Sequence, residues 1–268
     1  MPIALVTGAA KRIGRDMALY LAQRGYDVAI HYATSRDAAE GVAAEIRAMG
    51  RDAVCLHADL LDEGGIAPLI PQAAQALGGP VQVLVNNASV FEHDSLADAT
   101  RTSWDRHMMS NLRAPFVLMQ AMAAQCPAPL LDTLDEPVAQ GLVINMIDQK
   151  VLKLTPMHMT YSIAKMGLWA LTRMAAQELA PRVRVNAIGP GPTLQAAGMP
   201  DSAWQNLRGS TLLQRGASPS DITAALGFFL DAPAVTGQIL CIDGGQHLVW
   251  QTPDVLAENA REGGVAPV

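Results

Sequence analysis

Apolar and polar positions follow two alternating regimes along this chain. Short, largely apolar runs occur at residues 2–6, Val28–Tyr32, Ala53–His57, Val81–Val85, 142–144 and Gln238–Ile242, and Val183–Ile188 alternates apolar with polar residues. Runs of this length read as buried strands. Between them lie segments with helical spacing: Ile13–Arg24, Ala38–Met49, residues 63–77, Trp104–Ala124, a helix carrying Tyr161 and running to Ala180, and Asp221–Leu230. In the first of these, Ile13, Met17 and Leu21 share one face and Gly25 supplies the stop. Gly64, Gly65 and Pro68 break the 63–77 segment early. Strands and helices that take turns in this way predict one doubly wound α/β domain with a parallel sheet and helices on both faces.

Two stretches fall outside the alternation. Residues 126–140 are rich in proline and acids and read as a loop inserted before a strand, at the sheet edge away from any ligand, with no catalytic role. Residues 194–213 lack a clean period, contain Trp204, and read as a lid. The uncharged run Ala114–Leu131 holds three prolines and reads as a helix followed by a loop, not as a membrane span.

Composition narrows the function classes. The 268 residues suffice for a substantial core, read as one catalytic domain over 1–250 with a tail over 251–268. Only 16% of residues are charged and 50% are hydrophobic, which fits a well-buried sheet and a subunit interface. A net charge of −6 without a basic run argues against nucleic acid. Cys55, Cys126 and Cys241 are scattered and odd in number, as expected of reduced thiols in the cytoplasm. They form no metal motif, and the N-terminus has no signal-peptide pattern.

The candidate chemistry gathers at the C-terminal ends of the strands, where open α/β sheets bind ligands. The first strand enters Thr7-Gly8-Ala9-Ala10-Lys11-Arg12-Ile13-Gly14 and then a helix and a second strand. That is the context of a dinucleotide-binding loop: Gly8 permits the tight turn, and the helix start offers free N–H groups to a pyrophosphate. Arg12 replaces the middle glycine of the usual pattern. After the second strand, His31-Tyr32-Ala33-Thr34-Ser35-Arg36 has no acid to take an adenosine ribose. Ser35 and Arg36, with Lys11 and Arg12, suit a 2′-phosphate, so NADPH is expected over NADH, although Asp37 lies close by. Asn86-Asn87-Ala88-Ser89-Val90-Phe91 follows the fourth strand. Farther along, Tyr161 and Lys165 are about one helical turn apart and share a face, close in sequence to Asp148. A nearby ammonium favours the phenolate, so Lys165 is expected to lower the pKa of Tyr161.

Together these motifs resemble the short-chain dehydrogenase/reductase family across residues 2–245. The resemblance is carried by the Thr7–Gly14 loop, Asp59, Asn86-Asn87-Ala88, Asn111, Tyr161-x-x-x-Lys165, Pro190-Gly191 and the closing Asp243-Gly244-Gly245. It implies a Rossmann sheet of about seven strands. It implies Asn111, Tyr161 and Lys165 as catalytic residues, with a proton-relay water on Asn111. The cofactor-binding set then comprises Gly8, Lys11, Arg12, Ile13, Gly14, His31, Ser35, Arg36, Asp59, Leu60, Asn87, Ala88, Ser89, Tyr161, Lys165, Pro190, Gly191 and Thr193. A homotetramer is also implied. One departure stands out: Asp148 occupies the position, thirteen residues before the tyrosine, where the family usually has serine. With the glycine loop and Asn87-Ala88-Ser89-x-Phe91, this is similar to the pteridine reductase branch. That branch implies a pterin-like substrate held by Arg12, Ser89, Phe91, Asp148 and Tyr161, with Asp148 joining the catalytic set, and Trp204 of the lid is expected to order over that substrate. A carbonyl reductase or alcohol dehydrogenase of the same family is the alternative, and a non-catalytic NADP-binding sensor or scaffold is the second.

Overall fold

The computed structural model describes residues 1–252. Most of the tail expected from residue 251 therefore lies outside the described residues. Strand β1 (Ile3–Val6) leads into α1 (Arg12–Gln23) and β2 (Asp27–Tyr32). Then come α2 (Arg36–Ala48), β3 (Ala53–His57), α3 (Glu63–Ile66), α4 (Leu69–Leu77) and β4 (Val81–Asn86). Next, α5 (Arg101–Met108) passes through a π turn (Met109–Arg113) into α6 (Ala114–Gln125). A hairpin of β5 (Leu130–Leu131) and β6 (Pro137–Val138) precedes β7 (Gly141–Met146) and α7 (Met159–Leu179). The chain continues through β8 (Val183–Pro190), α8 (Asp201–Gly209), α9 (Pro219–Asp231) and β9 (Ile239–Ile242).

Seven strands form one sheet in the order β3-β2-β1-β4-β7-β8-β9, with every neighbouring pair parallel. Both faces are covered, which is why the strands carry continuous apolar runs. Successive side chains of a strand point to opposite faces. Ala4 and Val6 join Met17, Leu21, Ile46, Leu226 and Phe229 in the layer formed by α1, α2 and α9. Ile3 and Leu5 join Ile70, Leu118, Met122 and Ala176 in the layer formed by α4, α6 and α7. The strand order reverses between β1 and β4, and this opens the crevice in which ligands of such sheets sit.

Three elements differ from the sequence expectation. The single helix expected over Trp104–Ala124 begins earlier, at a Thr100–Ser103 capping box, and is interrupted by the π turn. Residues 126–140 are not a plain loop: they contain the β5–β6 hairpin, with Leu130, Leu131 and Leu134 exposed. Their place is as expected, because the N–H groups of Gln140 and Gly141 both donate to Arg182 O beside the starts of β7 and β8. The aperiodic 194–213 segment contains helix α8, which buries no residue fully. Its inward stripe is short, formed by Trp204, Leu207 and Arg208, all only half-buried. Arg208 ties α8 down by donating to the carbonyls of Pro192, Gly216 and Ala217. Among the described residues no helix is long and apolar enough to cross a membrane.

Candidate active site

The loops after β1 and β4 are stitched together. Thr7 Oγ1 accepts from the N–H groups of Asn87 (2.9 Å) and Ala88 (3.0 Å), and the Asn87 amide donates to Thr7 O at 2.8 Å. Gly8 has φ +63°, and a Cβ at Gly14 would lie 2.3 Å from Gly8 O, so that close approach requires glycine. Lys11 is the N-cap of α1 without a side-chain cap, and the first turn of α1 carries no acid. The backbone donors at this helix start are left for an anion. Gly8, Lys11, Arg12, Ile13, Gly14, Asn87, Ala88 and Ser89 line a cavity of about 360 Å³. These features fit the pyrophosphate of a dinucleotide.

Arg12 takes φ +55° in place of the missing glycine, and its guanidinium crosses to the carbonyls of Leu194 and Gln195 at 3.1 and 3.2 Å. The guanidinium thus ties the glycine loop to the segment before α8, while Arg12 still lines the cavity at the helix start. His31 also needs correction as a cofactor ligand. It is fully enclosed; its Nδ1 accepts from Gly8 N at 3.0 Å and its Nε2 pairs with Ala58 O at 3.1 Å. It braces the glycine loop from behind. Burial pushes its pKa down to about 4.

At the end of β2, Ser35 caps α2 without a side-chain hydrogen bond. Arg36 and Lys11 are exposed and form no ion pair among the described residues. Asp59 follows β3, its carboxylate accepting from Leu61 N at 2.9 Å, with Leu60 buried beside it. Gly191 N donates to Ile242 O, and Thr193 Oγ1 donates to Gly191 O at 3.1 Å. This shapes the turn where β8 leaves the sheet.

The chemical group stands at the end of β7. Asp148 caps a short 3-10 turn: one oxygen accepts from Lys150 N at 2.9 Å, the other from the Tyr161 hydroxyl at 2.9 Å. Lys165, one turn along α7, is enclosed and donates to Met146 O at 2.7 Å, with Nζ 5.6 Å from the centre of the Tyr161 ring. Burial lowers the Lys165 pKa to about 8 against the opposing pull of Asp148. Burial, the charge of Asp148 and the hydrogen bond to it raise the Tyr161 pKa well above its usual value. The expected lowering of the tyrosine pKa by Lys165 is therefore reversed. The phenol points at a carboxylate rather than at an ammonium, so it stays protonated at neutral pH.

Asn111 sits in the π turn, fully buried. Its Oδ1 accepts from Val90 N (2.9 Å) and Ser89 Oγ (3.2 Å), and its Nδ2 donates to Val90 O (2.8 Å). In this arrangement Asn111 clamps the loop that carries Phe91. Phe91 is 54% exposed, meets the Tyr161 ring edge-on at 4.7 Å and stacks on His158 at 4.3 Å. Trp204 lies on α8 with the guanidinium of Arg208 over its ring, 5.3 Å from the ring centre.

A family model described as enoyl-(acyl carrier protein) reductase matches residues 8–247. A short-chain dehydrogenase/reductase of Armillaria gallica is 32% identical over 259 residues, covering 91% of this chain and 95% of that protein. The chain belongs to the short-chain dehydrogenase/reductase family. The 3-oxoacyl-[acyl-carrier-protein] reductase of Staphylococcus aureus is 32% identical over 252 residues, covering 91% of this chain and 98% of that one. Among solved structures, FolM alternative dihydrofolate reductase 1 from Brucella canis, complexed with NADP, superposes with a TM-score of 0.87. The two are 39% identical, over 95% of this chain and 97% of that chain.

Sequence reasoning passed over several residues of this short-chain dehydrogenase/reductase. His107, Thr160 and Asp94 form a buried polar chain behind Tyr161, and His158 starts α7 in a left-handed conformation (φ +55°). Each is a lone polar residue in a loop or helix, and no spacing rule joins residues 94, 107 and 160. Only the fold does.

Proposed function

We propose that this chain is an NADPH-dependent reductase of a pterin, acting on a ring C=N bond. The observation that carries the reading is the Asp148–Tyr161 hydrogen bond, with Phe91 exposed against the tyrosine ring. A flat aromatic substrate stacks on an exposed phenyl ring. Its nitrogen needs a proton as the adjacent carbon is reduced, and the Tyr161 hydroxyl, hydrogen-bonded to Asp148 beside the exposed Phe91 ring, is the O–H placed to pass it on. When bound, NADPH supplies the hydride. The residues lining the glycine loop hold its pyrophosphate, Ser35 and Arg36 its 2′-phosphate, and the remaining donors of Lys165 its ribose. Asp148 and Tyr161 supply or relay the proton. The similarity to the alternative dihydrofolate reductase of Brucella canis in complex with NADP supports this assignment.

A second reading, reduction of a ketone, is favoured by the similarity to 3-oxoacyl-[acyl-carrier-protein] reductase. Incubation with NADPH and a panel of dihydropterins, dihydrofolate, simple ketones and a 3-oxoacyl thioester separates the two. Turnover of dihydropterins is expected. Turnover of the ketones or the thioester with none of any pterin would overturn the assignment.

We further propose that the enzyme works in the cytoplasm as a homotetramer. The outer faces of α6 and α7 leave Phe116, Ile163, Met166 and Met174 exposed, beside cavities of about 710 and 450 Å³. Sedimentation of the purified protein tests the assembly, and a monomer at micromolar concentration would overturn it.

A further inference from the structure

Helix α7 carries Tyr161 in its first turn, yet its own start is poor. Its N-cap, His158, has left-handed backbone geometry and offers no side-chain cap, and no acid lies in the first turn. The start is capped from outside. Asp94, in the loop between β4 and α5, accepts the N–H of Met159 on its main-chain oxygen (3.3 Å). Its carboxylate accepts both the N–H (3.1 Å) and the hydroxyl of Thr160. Thr160 is the residue before Tyr161, and Asp94 lies three residues after Phe91.

The chain of donors extends further and has one consistent direction. Glu92 N–H donates to His107 Nε2 at 3.2 Å, which leaves the His107 proton on Nδ1. That proton faces Thr160 Oγ1 at 2.7 Å, and the Thr160 hydroxyl proton goes to Asp94. Asp94, Thr160 and His107 are all nearly or fully buried. Among the described residues no lysine or arginine pairs with Asp94, and the His107 ring lies 4.0 Å from its carboxylate. Burial alone would raise the Asp94 pKa, but hydrogen bonds from the Thr160 side chain and backbone and from Ser103 hold it below its usual value. A buried carboxylate without a cationic partner is costly to keep. Here it is kept in the wall directly behind the proton donor, where it joins the Phe91 loop to the catalytic helix.

We propose that Asp94, acting through Thr160 and His107, is a positioning residue that sets the Tyr161 hydroxyl against Asp148 and holds Phe91 in register with it. Nothing in this unit touches the reacting atoms. It removes the freedom of α7's first turn to rotate relative to the loop, and so fixes the direction of the Tyr161 O–H. The inference rests on the reading of Tyr161 as proton donor, but not on the identity of the substrate.

Thr160→Val keeps the size of the side chain and deletes the bridging hydroxyl, whereas Thr160→Ser keeps the hydroxyl. Both would be assayed with NADPH and whichever substrate, dihydropterin or ketone, the wild type reduces best. Failure of the pterin assignment then leaves this test intact. For Thr160→Val the expected result is a fall in kcat on the order of 10- to 100-fold from misplaced proton transfer. NADPH affinity should be unchanged, and the solvent deuterium isotope effect on kcat should be larger. Thr160→Ser should restore both. Asp94→Asn, whose amide cannot accept both Thr160 donors, should resemble Thr160→Val; should Asp94→Asn not fold, the Thr160 pair decides. An unaltered kcat and isotope effect in Thr160→Val would overturn the proposal. So would a lowered Tm with normal kcat, or a loss that serine does not restore.

Discussion

His31 turns the glycine loop into a measurable pH dependence. Only the neutral ring fits its site, because Nδ1 must accept from Gly8 N while Nε2–H meets Ala58 O. The folded pKa is about 4, against an ordinary 6.5. The folded state thus binds fewer protons than the unfolded chain between these values, and stability rises with pH there. This contribution is complete above pH 6.5 and is lost progressively as pH falls towards 4. At pH 5.5 the unfolded histidine is protonated about tenfold over neutral, a loss of about 1.4 kcal/mol relative to pH 7.5. Urea unfolding followed by circular dichroism, at fixed protein concentration, gives the stability at both pH values. In His31→Gln this part of the loss should vanish, so the wild type should lose about 1.4 kcal/mol more than the variant between the two conditions. His107, whose pKa is also lowered by burial, contributes equally to both proteins. Equal losses in wild type and variant, or a His31 imidazole that titrates near 6.5 by NMR, would refute the reasoning.

Asp148→Asn should preserve NADPH binding and cost on the order of 10²-fold in dihydropterin turnover, read from steady-state kinetics. Wild-type turnover by the asparagine variant would remove the carboxylate from the proton path. Arg36→Asp should erase a preference for NADPH over NADH that a charge-assisted phosphate contact makes roughly tenfold or more. Comparing kcat/KM for the two cofactors in both proteins checks it. Gly14→Ala should abolish NADPH binding measured by cofactor fluorescence, since its Cβ would fall 2.3 Å from Gly8 O; retained affinity would show that the loop can open.

The sheet was legible because its strands are buried on both faces, so β1, β4 and β7 each carry a largely apolar run that no helix period imitates, while β8 alternates through Arg184 and Asn186. Motif residues at strand ends were legible too, because a parallel sheet carries every strand's C-terminal end to one edge. Asp148 and Tyr161 meet for that reason. What their meeting does to the phenol was not legible. Burial and Asp148 raise the pKa of the phenol where a neighbouring ammonium alone would lower it, and neither the enclosure nor the hydrogen bond can be read from spacing. His31 was expected at the cofactor by its position in the chain, but it is enclosed. The side chains of Arg12 and His31 find partners 182 and 27 residues away, at Leu194 and Ala58, which local pattern does not encode. The β5–β6 hairpin escaped notice because its strands are two residues long and exposed.

The π turn at Met109–Arg113 acts as a phase shifter in a single helical rod. Upstream of it, His107 faces the start of α7; downstream, Leu118 and Met122 face the sheet. An unbroken α-helix advances by about 100° per residue, so one residue more or less turns everything beyond it by that angle. The extra residue lets one rod present two sides to two different neighbours while Asn111, at the junction, reaches the Phe91 loop. Deleting a single residue here would set the core and the site at odds: with α6 seated on the sheet, His107 would swing away from Thr160, and with His107 in place, Leu118 and Met122 would face away from the sheet.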